Sequence, residues 1–114
     1  MDAEKSILLS IRSLVVGDST DDGFDTDLKI HINSALFDLH DLGVGPIEGF
    51  KIESEAEEWT GLIADSKNLE AIKSFIYLKV KIVFDPPASS FVMDAYLKEI
   101  DRYAWAIRNA MELN

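Results

Sequence analysis

The stretch Phe84-Asp85-Pro86-Pro87-Ala88-Ser89-Ser90-Phe91 decides the fold of this chain. Proline has no backbone N–H and its ring collides with the preceding turn, so no helix runs through Pro86 and Pro87. The residue before each proline is also pushed out of the α region. Ser89 and Ser90 then offer side-chain oxygens that can open a new helix. An apolar run, Leu69 to Phe84, lies on one side, and a long amphipathic run, about Phe91 to Leu113, lies on the other. The pattern specifies helix, rigid elbow, helix.

Upstream of the elbow, Leu69, Ile72, Phe75, Ile76, Lys79 and Val83 follow helical spacing, and Asp65 to Asn68 supply candidate caps. A competing signal runs through the same segment, where Leu78, Val80 and Ile82 alternate with Lys79 and Lys81 as in a strand. The run is roughly 16 residues against about 5–6 for a usual strand, which favours helix. Downstream, Met93, Leu97, Ile100, Ala104, Ile107 and Met111 form a core stripe, with Asp94 in the first turn and an Asp94–Lys98 pair at i,i+4. Tyr96, Tyr103 and Trp105 point elsewhere. A helix apolar on more than one side packs against two neighbours or against another subunit.

The N-terminal half carries two more helices. Ile7, Leu8, Ile11, Leu14 and Val15 predict a helix over Ala3 to Val16, capped by Asp2 and stopped by Gly17. After a polar loop, Asp18 to Gly23, a second helix starts near Asp25 or Thr26, buries Leu28, Ile32, Ala35, Leu36 and Leu39, and ends at Gly43. Residues 47–65 are irregular. Phe50 and Ile52 alternate with polar neighbours, as in a short strand, a hairpin or an extended loop. Trp59, Leu62 and Ile63 fold back onto the core. The expected fold is all-α: a small bundle of about four helices with an irregular middle and a long C-terminal helix, residues 1–114 forming a single domain.

The 114 residues are 47% hydrophobic, which suits a folded chain rather than a disordered one. There is no cysteine, hence no disulfide framework and no thiolate zinc site. Met1-Asp2-Ala3-Glu4-Lys5 lacks the basic opening of a signal peptide, and no apolar run reaches the ~20 residues of a membrane span. The formal net charge is -10 and unevenly placed. Residues 1–66 hold 15 acidic and 4 basic side chains, net -11, and residues 67–114 hold 6 and 7, net +1. Such a balance argues against ordinary nucleic-acid binding, which neutralises phosphates with Lys and Arg. It fits two surfaces with different tasks, and more simply fits plain solubility.

No constellation points to catalysis, a cofactor or a metal. An EF-hand frame from Asp18 places Thr20, Asp22 and Gly23 suitably, but position twelve is Lys29, where a bidentate Glu is required. His31 and His40 lack the i,i+4 spacing of a helical zinc pair, and His40 is placed to help cap a helix end. Gly43-Val44-Gly45-Pro46 follows a helix and lacks a donor that a phosphate would need. Glu53, Glu55, Glu57 and Glu58 read as a solvated segment, with no companion residue for acid–base work. Lys73, Lys79 and Lys81 do not share one face and are expected to snorkel or pair with carboxylates. Tyr103, Trp105 and Arg108 are the residue types of interface hot spots, yet aromatics also dominate cores, so Trp105 has two readings here.

Three segments carry a family resemblance: Asn68-Leu69-Glu70, Tyr77-Leu78-Lys79, and Asp85-Pro86-Pro87-Ala88-Ser89-Ser90-Phe91-Val92. Together they resemble the C-terminal motif of tailed-phage head–tail connector adaptors; the first two helices and the acidic loop resemble that family's opening region more loosely. The resemblance implies a structural virion protein made in the host cytoplasm, not an enzyme, with no cofactor and no membrane. It implies a ring, commonly dodecameric, beneath the portal, extending the DNA channel and offering a docking surface to the stopper or tail completion protein. The terminal helix would meet portal or neighbouring subunits, which makes Phe91, Tyr96, Tyr103, Trp105 and Arg108 the candidate interface and Asp85, Pro86, Pro87, Ser89 and Ser90 the elbow that aims it. Acidic Asp21, Asp22, Glu55, Glu57 and Glu58 are candidates to line the channel, repelling double-stranded DNA so that it passes without specific binding. Two other classes fit an acidic helical chain: a DNA mimic that occupies a nucleic-acid-binding partner, and a small dimeric regulator of a host protein.

Overall fold

The computed structural model describes residues 4–112. Among them the chain forms five α-helices: α1 (Ile7–Val15), α2 (Asp25–Asp41), the single turn α3 (Trp59–Leu62), α4 (Leu69–Phe84) and α5 (Ser90–Glu112), with a 3₁₀ turn at Ser66–Asn68. The fold is all-α, with no strand among the described residues. The expected cap Asp2 and the last expected helical residue, Leu113, lie outside the described residues.

α1 starts at Ile7, later than the periodicity predicts. Residues 5–7 are drawn into extended pairing with the middle segment: Ser6 and Glu58 form an isolated antiparallel bridge. Ile7 N donates to Glu57 O at 3.1 Å and Trp59 N to Lys5 O at 3.0 Å. Backbone groups engaged across the chain cannot also serve a helical ladder, so the helix begins once the bridge is passed. Fully buried Ser6 becomes the N-cap, its Oγ accepting from Leu9 N.

The end of α2 is a Schellman motif. Gly43 sits at φ +97, its N–H donates to His40 O, and Val44 N–H donates to Leu39 O, both at 3.0 Å. Gly43 is doubly required, because a Cβ there would also come within 3.1 Å of the Met111 side chain on α5.

The middle segment is an extended loop rather than the short strand that Phe50 and Ile52 allowed. Ile52 has no partner strand. The Asn33 amide takes that place: its Oδ1 accepts from Ile52 N at 2.7 Å and its Nδ2 donates to Ile52 O at 2.9 Å. This pins buried Ile52 into the core. Trp59 is also buried, and its Nε1 donates to Ser10 Oγ at 3.1 Å, tying α3 to α1.

α4 is the central element and packs against α1, α2 and α5. That position explains its ambiguous sequence. A helix covered on several sides buries Leu78 and Val80 as well as Ile72, Phe75 and Ile76, and the alternation with lysines imitates a strand. The lysines reach outward to partners. Lys79 Nζ lies 2.8 Å from Asp38 on α2, Lys81 Nζ lies 2.7 Å from Asp85, and Lys73 Nζ sits 5.4 Å from the centroid of the Trp59 ring.

Three expected core residues face outward instead. Leu14, Val83 and Leu97 are 57%, 54% and 44% exposed. The buried arc of α1 turns toward Leu8 and Arg12, so Arg12 is buried where Leu14 was expected. Val83 lies in the last turn of α4, and Leu97 on the outer flank of α5, which buries only Ile100 and Ile107 fully.

Candidate assembly interface

Asp85 terminates α4 with φ -146 and ψ 72, and its N–H donates to Lys81 O at 2.9 Å. Its carboxylate accepts from Lys81 Nζ, and that hydrogen bond is the main reason the lysine is held above its ordinary pKa. Pro86 is exposed and Pro87 half-buried. Ser89 then takes the N-cap position of α5: its Oγ accepts from Val92 N at 3.4 Å, and its carbonyl accepts from Met93 N at 3.0 Å. Ser90 is the first helical residue. All five elbow residues therefore lie at the junction the sequence marked, with a lysine tether that i,i+4 spacing made readable.

The candidate interface residues divide into two groups. Tyr96 and Tyr103 are half-buried and pack against the core from α5. Phe91 and Trp105 are 82% and 70% exposed, and Arg108 is exposed too. Trp105 thus does not pack inside the subunit. Phe91, Lys98 and Trp105 are spaced by seven, nearly two turns, so they share one outward face of α5. Asp94 and Lys98 do not pair; the ion pair that does form on this helix is Glu99–Arg102, at 2.7 Å.

The acidic candidates fall in two separate loops, and the structure shows what several carboxylates do there. In residues 18–24, Asp18 Oδ1 accepts from Thr20 Oγ1 at 2.6 Å and Thr20 N at 2.9 Å, and Asp21 Oδ1 accepts from Gly23 N at 3.0 Å. The Thr20 hydroxyl is the main cause of a lowered Asp18 pKa. Asp22 and Glu55 are exposed, while Glu57 and Glu58 are half-exposed. Both Glu57 oxygens accept backbone N–H groups, from Ser54 and Glu53, each at 3.1 Å. Desolvation opposes ionisation of Glu57, and these hydrogen bonds outweigh it, so its carboxyl is held below the ordinary value of 4.5. A carboxyl depressed on folding stabilises the fold above its unfolded pKa, and that contribution is lost as pH falls through the folded value. Protection of the Glu53 and Ser54 amides, taken relative to their intrinsic exchange rates, is therefore expected to fall as the pH drops below about 4.5, and Glu57→Gln is expected to abolish this loss. Identical pH profiles for both proteins would refute the cap.

Sequence reasoning missed the buried ion pair behind the acidic loop. Arg12 Nε donates to Asp25 Oδ1 at 3.0 Å, Nη2 to Oδ2 at 2.5 Å, and Nη1 to Ser19 O at 2.6 Å. The signal was a lone arginine inside an apolar stripe, thirteen residues before an acid at a helix start. His40 also departs from expectation: its Nε2 donates to Ile47 O at 3.0 Å, holding the following loop, not the helix end.

One groove, about 510 Å³, lies against the elbow where the ends of α1 and α4 meet the start of α2. Val15, Val16, Phe24, Val83 and Phe84 line it together with Asp27, His31 and Asp85, so its wall is polar as well as apolar. Phe24 and Phe84 meet edge to face with centroids 5.3 Å apart. Among the described residues no group of three or more His, Asp and Glu could hold a metal, and no helix is long and apolar enough to cross a membrane.

Exposed aromatics on the outer face of α5 and carboxylates committed to their own loops equip a chain for docking with other proteins. This is the chemistry of a structural assembly component. The chain belongs to the phage connector protein family, whose model matches residues 7–114. Neither a curated protein nor a solved structure matches it. The family is a structural one, associates with other head and tail proteins of the phage, and locates the chain at the virion neck.

Proposed function

We propose that this connector is an adaptor subunit that assembles as a ring, dodecameric in the virion, beneath the portal. The ring extends the DNA channel and presents the surface on which the stopper or tail completion protein docks. The observation that carries this reading is α5: a 23-residue helix leaving a proline elbow with Phe91 and Trp105 in solvent. Hot-spot residue types left exposed in this way favour burial in a partner. The chain would be made in the host cytoplasm and act without cofactor.

Asp21, Asp22, Glu55, Glu57 and Glu58 are assigned to the lumen, where negative charge lets DNA slide past. The DNA-mimic alternative asks for carboxylates displayed on a rigid surface like phosphates; Asp18, Asp21 and Glu57 instead turn oxygens to their own backbone. The test is to mix the chain with the cognate portal and follow the complex by sedimentation and electron microscopy. A ring of this chain seated on the portal, with the acidic loops toward the channel, is expected. Failure of portal to retain the chain overturns the adaptor reading, a free dimer without portal affinity favours the regulator, and acidic loops wholly on the outer rim overturn the lumen assignment alone.

A further inference from the structure

We infer that the outer face of α2, with the turn that follows it, is a docking surface for a basic segment of another protein, one whose apolar anchors are flanked by lysine or arginine. Ile30 and Phe37 are 60% and 69% exposed, while α2 buries Leu28, Ile32, Leu36 and Leu39 on its other side. Ile30, Ser34, Phe37 and Asp41 follow spacings of four, three and four, so they share one outward face. The two apolar side chains stand about 10 Å apart along the helix, a separation that a partner helix spans in two turns. Ile47 extends this face from the next loop and is 94% exposed. Two hydrogen bonds fix the turn that presents it: Gly49 N donates to Pro46 O at 2.9 Å, and His40 Nε2 donates to the Ile47 carbonyl at 3.0 Å. Phe37 and His40 of α2 line one groove of about 280 Å³ with Glu48, Gly49 and Phe50, which joins helix and turn into one surface. A surface already held in shape loses little freedom on association.

Charge complementarity selects the occupant. Residues 25–50 hold five acidic side chains and one basic, net -4. Asp25 is paired with Arg12 and Asp38 with Lys79. Asp27 lies one turn before Ile30, Asp41 one turn after Phe37, and Glu48 beside Ile47. All three are exposed, and none is in an ion pair among the described residues. The cations of this region are engaged elsewhere: Lys29 Nζ donates to Glu53 O at 3.3 Å, and Lys51, on the groove wall, lies 3.6 Å from Glu53. Arg108 of α5 shares a cleft with Asp41 without pairing with it. An apolar face rimmed by these carboxylates repels nucleic acid and anionic membranes, and two copies of it repel each other. The α5 face of another copy suits it no better, since Asp94, Asp101 and Glu112 stand exposed beside Lys98 and Arg108. Lysine and arginine set around an apolar anchor match it in both respects. The face shares no residue with the candidate interface on α5, and the inference stands whether or not the chain forms a ring.

The probe is a helical peptide with Leu at every third or fourth position and Lys elsewhere, titrated into the isotope-labelled chain and followed by NMR. Binding at roughly 10–100 μM is expected, with amide shifts centred on Ile30, Phe37 and Ile47. The counterpart peptide with Glu in place of Lys binds at least about tenfold more weakly. Phe37→Ala with Ile47→Ala weakens binding about 30-fold, Asp27→Lys with Glu48→Lys about tenfold, and Trp105→Ala leaves it within about twofold. All these side chains are exposed, and far-UV circular dichroism confirms helicity. The natural occupant is sought by passing purified head and tail proteins of the same phage over the immobilised chain. At least one is expected to be retained, and both double variants are expected to release it. Shifts centred elsewhere, no binding below about 1 mM, equal binding of the two peptides or an undiminished double variant overturns the inference, as does the absence of any head or tail protein that the variants release.

Discussion

Replacing Asp25 with alanine is expected to destabilise the fold by about 3–5 kcal/mol, measured by urea denaturation. The reason is the environment of its partner. The Arg12 side chain is 5% exposed, and its guanidinium is held by two hydrogen bonds to the Asp25 carboxylate and one to the Ser19 carbonyl. Removing the carboxylate leaves a buried cation with a single acceptor, and a domain of this size has only about 5–15 kcal/mol in total. The mirror substitution is milder. Arg12→Met leaves a carboxylate on a side chain 23% exposed, which water can reach, and costs about 1–3 kcal/mol. The double variant Arg12→Met/Asp25→Leu is expected to recover most of the loss, since apolar residues of similar volume replace buried ion pairs without penalty in many folds. A cost below about 1 kcal/mol for Asp25→Ala would mean that the guanidinium escapes to solvent and that the pair does not organise the α1–α2 loop.

Replacing both elbow prolines, Pro86→Ala with Pro87→Ala, is expected to leave helicity nearly unchanged while reducing assembly on portal more than about tenfold. Neither proline carries core burial, and the helices on both sides are closed independently. α4 ends with the Lys81–Asp85 pair, and α5 opens on the Ser89 cap. What the prolines contribute is restriction of the chain between those ends. Alanines there widen the unfolded ensemble at a cost of roughly 0.4–1 kcal/mol each and let the first turns beyond Phe84 sample helix. α5 would keep its buried Ile100 and Ile107 contacts, and with them the setting of Trp105, but its first turn, which carries Phe91, would lose its fixed direction. Binding that depends on a preorganised surface then weakens although no contact residue has changed. Undiminished assembly of the double-alanine protein would reduce the elbow to a helix terminator.

How far the sequence was legible follows from the reach of each signal. The elbow, the Gly43 stop, the buried face of α2 and the long C-terminal helix depend on backbone sterics and on apolar periodicity, both confined to neighbours along the chain. The start of α1 was misplaced because Ser6 pairs with Glu58, fifty-two residues away, and helical periodicity has no knowledge of that bridge. The loop around Ile52 resembled a strand because alternation marks extended backbone, without saying whether a second strand or the Asn33 amide will bond it.

The candidate interface shows the same division. Residue type alone nominated Phe91, Tyr96, Tyr103, Trp105 and Arg108, and left Trp105 between core and surface. Packing of α5 on α4 placed Tyr96 and Tyr103 against the core and left Phe91, Trp105 and Arg108 outside. The groove was invisible to the sequence, since Val15 on α1, Phe24 in the loop before α2 and Val83 on α4 converge only in the folded chain. By itself the sequence determined four of the five helices, their order, the break between the last two, and the family; the single turn α3 lay inside the segment it read as irregular. Only the tertiary structure decided which aromatics face solvent and that Arg12 clamps Asp25. Local sterics and periodicity act over a few residues, whereas burial and ion pairing depend on where distant segments meet.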